Sequence, residues 1–223
     1  MSRAGIFSVL LLTLLTGACA RLPVIRPSAP ESRGALLRRC GAVFPQGRWQ
    51  FVHAIEAALP GGGSVVLGVS RISSADRRIH SLIMTVEGMV LFEARRDGEL
   101  RVTRAVPPFD ARNFARGLMD DIAFIFFAPR GAAAPGRLED GAAVCRYRRD
   151  DGGVVDVAPD PADGWALRQY DAQGRLTRRL QASKVTVIDG QGIPRRLTLE
   201  ARPAGATPYR LKMKLIDALP IRP

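Results

Sequence analysis

Residues 81–127 read SLIMTVEGMVLFEARRDGELRVTRAVPPFDARNFARGLMDDIAFIFF, and the hydrophobic period changes partway through them. Up to Arg104 the alternation is strand-like: Arg78 to Val86, Met89 to Arg95 and Glu99 to Arg104, with Asp97-Gly98 the signal for a two-residue type I′ hairpin. After Pro107-Pro108 the spacing becomes helical. Ala111, Phe114, Ala115, Leu118, Met119 and Ile122 share one face, and Arg112, Asn113, Arg116 and Asp120 the other. Asp110 stands where an N-cap is expected. The run Ala123 to Phe127 before Pro129 prolongs the apolar surface, so Phe114, Phe124, Phe126 and Phe127 place four of the chain's nine Phe on one element. A helix this apolar among strands must cover a sheet.

Outward from this stretch the period-two pattern dominates. Upstream, Trp49, Phe51, His53 and Ile55 alternate with Gln50, Val52, Ala54 and Glu56; Pro60 to Ser64 reads as a turn and Val65 to Arg71 as the return strand. Downstream, Gly131 to Gly136 reads as a loop. Strand signals then follow at Ala142–Arg148, Val154–Val157, Trp165–Tyr170, Leu176–Ile188, Arg195–Ala201 and Tyr209–Ile216. In the last, Tyr209, Leu211, Met213 and Leu215 point one way and Arg210, Lys212 and Lys214 the other, as in a sheet with one wet face. Turns are expected at 151–153, 171–174 and 189–192. Glu31 to Cys40 suits a short helix with Ala35, Leu36 and Leu37 inward and Arg38 and Arg39 outward. The fold class is therefore mainly β (α+β): an antiparallel sheet of about eleven strands, five of them before the helix.

The 223 residues are 47% hydrophobic and 24% charged, one domain's worth of ordinary globular chain, which excludes wholesale disorder, collagen and coiled coil. Only the first twenty residues are apolar enough to enter a bilayer, and they are too short to span one stably. Arg3, the apolar run Ile6 to Leu15, and Thr16-Gly17-Ala18 before Cys19 form an export signal that resembles the bacterial lipoprotein signal. That resemblance implies a thioether-linked diacylglycerol on Cys19 and removal of residues 1–18; Thr16 departs from the usual Leu. Ala20 after the cysteine implies sorting to the outer membrane, periplasmic face. Residues 19–34, with Pro23, Pro27 and Pro30, read as a tether, and 35–223 as a single domain. Loss of Arg3 with the signal leaves the mature chain one charge below +12, a balance that suits anionic headgroups. Nucleic acid is the other partner such charge fits, but the chain is exported and has no recognition module with a known signature.

The element order resembles the LolA/LolB lipoprotein-carrier fold over roughly residues 42–217. The stretch 81–127 and IPRRLTLEARPAGATPYRLKMKLI at 193–216 are similar to uncharacterised LolB-like lipoproteins. The resemblance implies an open antiparallel half-barrel, a helical lid, and a cavity between them for the acyl chains of a lipid or lipoprotein, delivered by a periplasmic carrier. The candidate lining is Phe109, Phe114, Leu118, Met119, Phe124 and Phe126 from the lid, with Trp49, Phe51, Trp165, Leu211 and Met213 from the sheet. A closed core explains each of these residues singly. Phe114 and Leu118 are the candidates for closing the cavity. LolB proteins also carry an exposed apolar loop that touches membrane, and the sequence matches no segment to it. The other reading is a structural or assembly lipoprotein that docks an envelope partner and needs no cavity.

Cys40 and Cys145 face an oxidising compartment once the chain is exported. They either pair, closing a loop of roughly a hundred residues at a gain of roughly 4 to 5 kcal/mol, or stay as two buried thiols. Enzyme chemistry finds little support: there is no Gly-x-Ser-x-Gly elbow, His-Glu-x-x-His helix or phosphate loop, and no cofactor or metal is implied. Of the two histidines, His53 reads as a hydrogen-bonded core or barrel-wall residue rather than a catalytic base, and His80 as a surface one. Asp120 and Asp121 diverge by about 100° on a helix and so do not share a substrate. Arg112 and Arg116 either latch the lid, meet a phosphate, or line a solvated face.

Overall fold

The computed structural model describes residues 22–59, 62–160, 164–205 and 207–222. After a two-residue strand β1 (Arg26–Pro27) and helix α1 (Pro30–Gly41) come β2 (Arg48–Leu59), β3 (Gly62–Ser73), β4 (Arg78–Met84), β5 (Val90–Asp97) and β6 (Glu99–Ala105). Helix α2 (Phe114–Phe126) follows, then β7 (Ala133–Arg137), β8 (Ala143–Arg148), β9 (Val154–Asp160), β10 (Gly164–Tyr170), β11 (Leu176–Ile188), β12 (Gln191–Ala201) and β13 (Tyr209–Pro220). All strands join one antiparallel sheet of thirteen, ordered β1-β7-β8-β9-β10-β11-β12-β13-β2-β3-β4-β5-β6. The sheet is unclosed, with β1 and β6 at its edges, and forms an open half-barrel whose concave face carries both helices.

The eleven strands legible in the sequence are β2–β6 and β8–β13; the two extra ones pair with each other at one edge. The sequence expectation of a loop over Gly131 to Gly136 gives way to β7: β1 pairs only with Gly136 and Arg137, so Pro135 turns its nitrogen outward beyond the end of that short strand, where no donor is needed. Part of the stretch that composition marks as tether lies on the body. The chain crosses the convex side of β7–β9, where Arg146 donates to the Pro23 carbonyl at 2.9 Å before β1 pairs with β7. Gly136 makes this crossing feasible, since a Cβ there would stand 2.2 Å from Ile25 Cγ2 and 2.5 Å from the Arg26 carbonyl oxygen.

Side-chain alternation divides the sheet's faces. On β13, Met213 and Leu215 are buried and Arg210, Lys212 and Lys214 exposed; a bulge between Leu215 and Asp217 then resets the alternation so that Ala218 is buried. Concave residues of β2, β4, β5, β8–β10 and β12 join α1 and α2 in one core. The type I′ hairpin lies at Asp189-Gly190, where both φ values are positive (49° and 73°) and Ile188 pairs with Gln191. At Asp97-Gly98 only Gly98 is left-handed, and Asp97 pairs with Glu99, so that turn is not type I′.

Helix α2 begins three residues later than its apolar face. Successive turns, from Phe109 N–H to the Val106 carbonyl and from Phe114 N–H to the Ala111 carbonyl, occupy the chain before it, and Asn113 takes a left-handed φ of 70°. Asn tolerates that conformation better than most residues. Asp110 is therefore not the cap, and Asn113 occupies the N-cap position without a side-chain bond. The helix stops where Phe127 turns extended, two residues before Pro129. In α1 only Leu36 and Cys40 are buried; Ala35 and Leu37, expected inward, face solvent with Arg38 and Arg39.

Candidate functional site

The seam between α2 and the concave sheet face gathers most of the aromatic residues singled out in the sequence. Phe51 on β2 lies between two nearly parallel rings, Trp49 at 5.6 Å and Phe126 at 4.6 Å between centroids. Such stacks contribute about 0.5–1.5 kcal/mol each beyond the area they bury. At the other end of the helix, Phe114 meets Phe92 and Phe109 edge-on at 5.2 and 5.3 Å. Met119 and Phe124 are buried beneath α2, and Trp165 and Met213 are buried on β10 and β13. Phe109, Phe114, Leu118 and Leu211 are half-buried and pack on the core from its border.

The seam is nearly filled. The cavity at the end of α2, lined by Val43, Phe51, His53, Phe126, Trp165 and Leu197 among others, holds about 10 Å³ for the centre of a water-sized sphere. That is room for about one water. Trp165 Nε1–H is buried with no acceptor among the described residues, and His53 faces the Phe51 and Phe126 rings, each 6.2 Å away. Burial lowers the His53 pKa to about 4, so the ring is neutral near pH 7. A larger hollow of about 390 Å³ lies elsewhere, open and lined by Arg48, Arg71, Arg95 and other charged side chains, which suits no acyl chain.

Two adjacent carboxylates on α2 reach opposite walls. Asp120 receives Arg96 Nη1 of β5 at 2.8 Å, and Arg96 Nη2 also donates to the Met119 carbonyl at 2.9 Å. Asp121, only 4% exposed, receives Arg178 Nε of β11 at 2.8 Å and the Tyr209 hydroxyl of β13. Desolvation raises the Asp121 pKa above the ordinary carboxylate value, against the opposing pull of the Arg178 charge and the Tyr209 hydrogen bond. Tyr209 is displaced upward too, by burial first and then by the Asp121 charge beside it. The divergence of the two Asp residues was legible in the sequence. Their partners were not, because Arg96 and Arg178 are remote in the chain; Arg112 and Arg116, the sequence candidates, lie exposed.

Cys40 of α1 and Cys145 of β8, 105 residues apart, form a disulfide with Cα atoms 6.3 Å apart. His80, expected at the surface, is half-buried and bonded to Glu93 at 2.8 Å. Val86 and Met89, on the turn between β4 and β5, are 64% and 57% exposed. Cys19, with the export signal, lies outside the described residues, as does part of the turn at 60–64.

This architecture has solved counterparts. A LolA superfamily protein from Nitrosomonas europaea superposes with a TM-score of 0.52 at 14% identity, over 83% of this chain and 91% of that one. A domain from Vibrio parahaemolyticus described as an outer membrane lipoprotein-sorting protein does so with 0.52 at 13% identity, over 83% and 90%. The fold is LolA-like. Neither a protein-family model nor a curated protein matches the sequence. In this LolA-like half-barrel α2 lies across the concave face, which its aromatic residues fill.

Proposed function

We propose that this chain is a lipoprotein, anchored through Cys19 at the periplasmic face of the outer membrane, that takes up the acyl chains of a lipid or lipoprotein between α2 and the sheet and passes them on without covalent chemistry. The observation that carries the reading is the seam: α2 is joined to the sheet by aromatic stacking and two ion pairs, so its release exposes an apolar wall. An acyl chain that replaces Phe126 against Phe51 and Leu197 restores the burial, at about 25 cal/mol per Å² before binding costs. The exposed Val86 and Met89 offer an apolar tip for meeting membrane or cargo. A structural or docking role is favoured by one observation, the filled interior.

The two readings separate by native mass spectrometry and lipid extraction on the exported Cys19→Ser chain. Stoichiometric acyl-containing ligand is expected, retained by the wild-type seam and lost when Phe126 is replaced by Asp. The paired replacement Phe114→Asp and Leu118→Asp tests the other end of the lid. A clean apo mass that takes up no added fatty acid or phospholipid overturns the carrier reading in favour of docking.

A further inference from the structure

We propose that the convex face of β10–β13 lies against the anionic headgroups of the membrane to which the chain is anchored. Both helices sit on the concave face, so neither covers this side of the sheet, where Arg168 and Arg179 are half-buried and the other cations exposed. It presents Arg168, Arg179, Arg196, Arg210, Lys212 and Lys214 against Glu56, Glu200 and Asp217. Glu200 is already taken by Arg210 at 2.6 Å, and among the described residues the other five cations join no carboxylate.

Two further features point to phosphate as the missing counterpart. Arg168 and Arg179 are direct cross-strand neighbours, an arrangement that costs stability unless an anion sits between the guanidinium groups. Arg179 Nε is also buried without an acceptor among the described residues. The chain's entry places the membrane on the same side. Leu22 leads into the strap that crosses the convex face at Pro23, bonded to Arg146, and Arg146 grips Asp156, whose cross-strand neighbour is Arg168. Cys19 is four residues before Pro23, a reach of at most about 14 Å. A domain held this close by a lipid on Cys19 keeps its nearest cations within a screening length or two, about 8 Å each, of the headgroups. The proposal rests on lipidation of Cys19 and not on acyl uptake in the seam.

The test is flotation of the exported Cys19→Ser chain with vesicles of phosphatidylcholine alone and of phosphatidylcholine mixed with phosphatidylglycerol. Binding is expected only to the anionic vesicles and is expected to fall with salt. Each cation removed should weaken partition about fivefold, so Arg196→Gln, Lys212→Gln and Lys214→Gln together cost about a hundredfold. These side chains are exposed, and unchanged thermal unfolding verifies the fold. In the lipidated protein, a fluorophore on Lys212→Cys is expected to be quenched by headgroup-labelled lipid, and one on Arg116→Cys, on the exposed side of α2, is not. Equal binding to both vesicles, no binding, or no effect of the triple variant overturns the proposal, including the case in which the face captures an acidic protein instead. Acyl ligand measured by native mass spectrometry on the same triple variant is expected to be unchanged, which keeps this result separate from the fate of the carrier reading.

Discussion

Helices α1 and α2 cover the same concave face by different means. The first buries only Leu36 and Cys40 and is fastened by the Cys40–Cys145 disulfide. The second buries Met119, Asp121, Ile122, Phe124, Ile125 and Phe126 and holds on through the Arg96 and Arg178 ion pairs. A covalent clasp keeps a weakly packed helix in place under all conditions in an oxidising compartment, whereas burial and ion pairs can be exchanged for a ligand. On the proposed carrier reading, the difference makes α1 the fixed wall and α2 the part that leaves.

Breaking the clasp has the largest expected effect. The paired replacement Cys40→Ser and Cys145→Ser should lower the unfolding free energy by up to about 4 to 5 kcal/mol, read by urea titration. Native acyl retention should survive it wherever the fold does; selective loss of retention would assign α1 to the site. Acid tests the α2 side next. His53 has a folded pKa of about 4, below its ordinary 6.5, so the unfolded chain binds the proton more readily and stability falls as pH drops from 6.5 towards 4. The loss is about 3 kcal/mol at most, and His53→Phe should flatten that limb of the curve.

Asp121→Asn is expected to cost about 2 kcal/mol, because Arg178 stays half-buried without its counterion. Burial holds the folded pKa of Asp121 above its unfolded value, so the folded state keeps the proton longer. Wild-type stability relative to the Asn variant should therefore fall as pH rises through that window, and the opposite slope would mean that Arg178 and Tyr209 outweigh desolvation. Asp120→Asn, at the more exposed pair, should cost only about 0.5 kcal/mol. Hydrogen exchange of α2 amides sharpens the comparison: both Asp variants are expected to speed exchange in α2 and leave α1 unchanged.

Much of the site was written in residues that obey a period. Phe114 to Phe126 announced an apolar helix, and Trp49-x-Phe51-x-His53 announced the strand face beneath it, because burial selects side chains every 3.6 or every two positions. Features without a period went unread. β7 has neither apolar alternation nor strand-forming composition and exists only because β8 and β1 pair with it. The start of α2 was misplaced because a left-handed Asn113, set by turns that consume residues 106–114, overrode the cap signal at Asp110.

The sequence by itself determined the class of the fold, since alternation and one apolar helix leave few ways to bury the same surface. Only the tertiary structure decided that the interior is filled, that Asp120 and Asp121 reach opposite walls, and that the chain enters across the convex face. Each depends on which remote strands become neighbours, and pairing energies between residues a hundred positions apart leave no mark on local spacing.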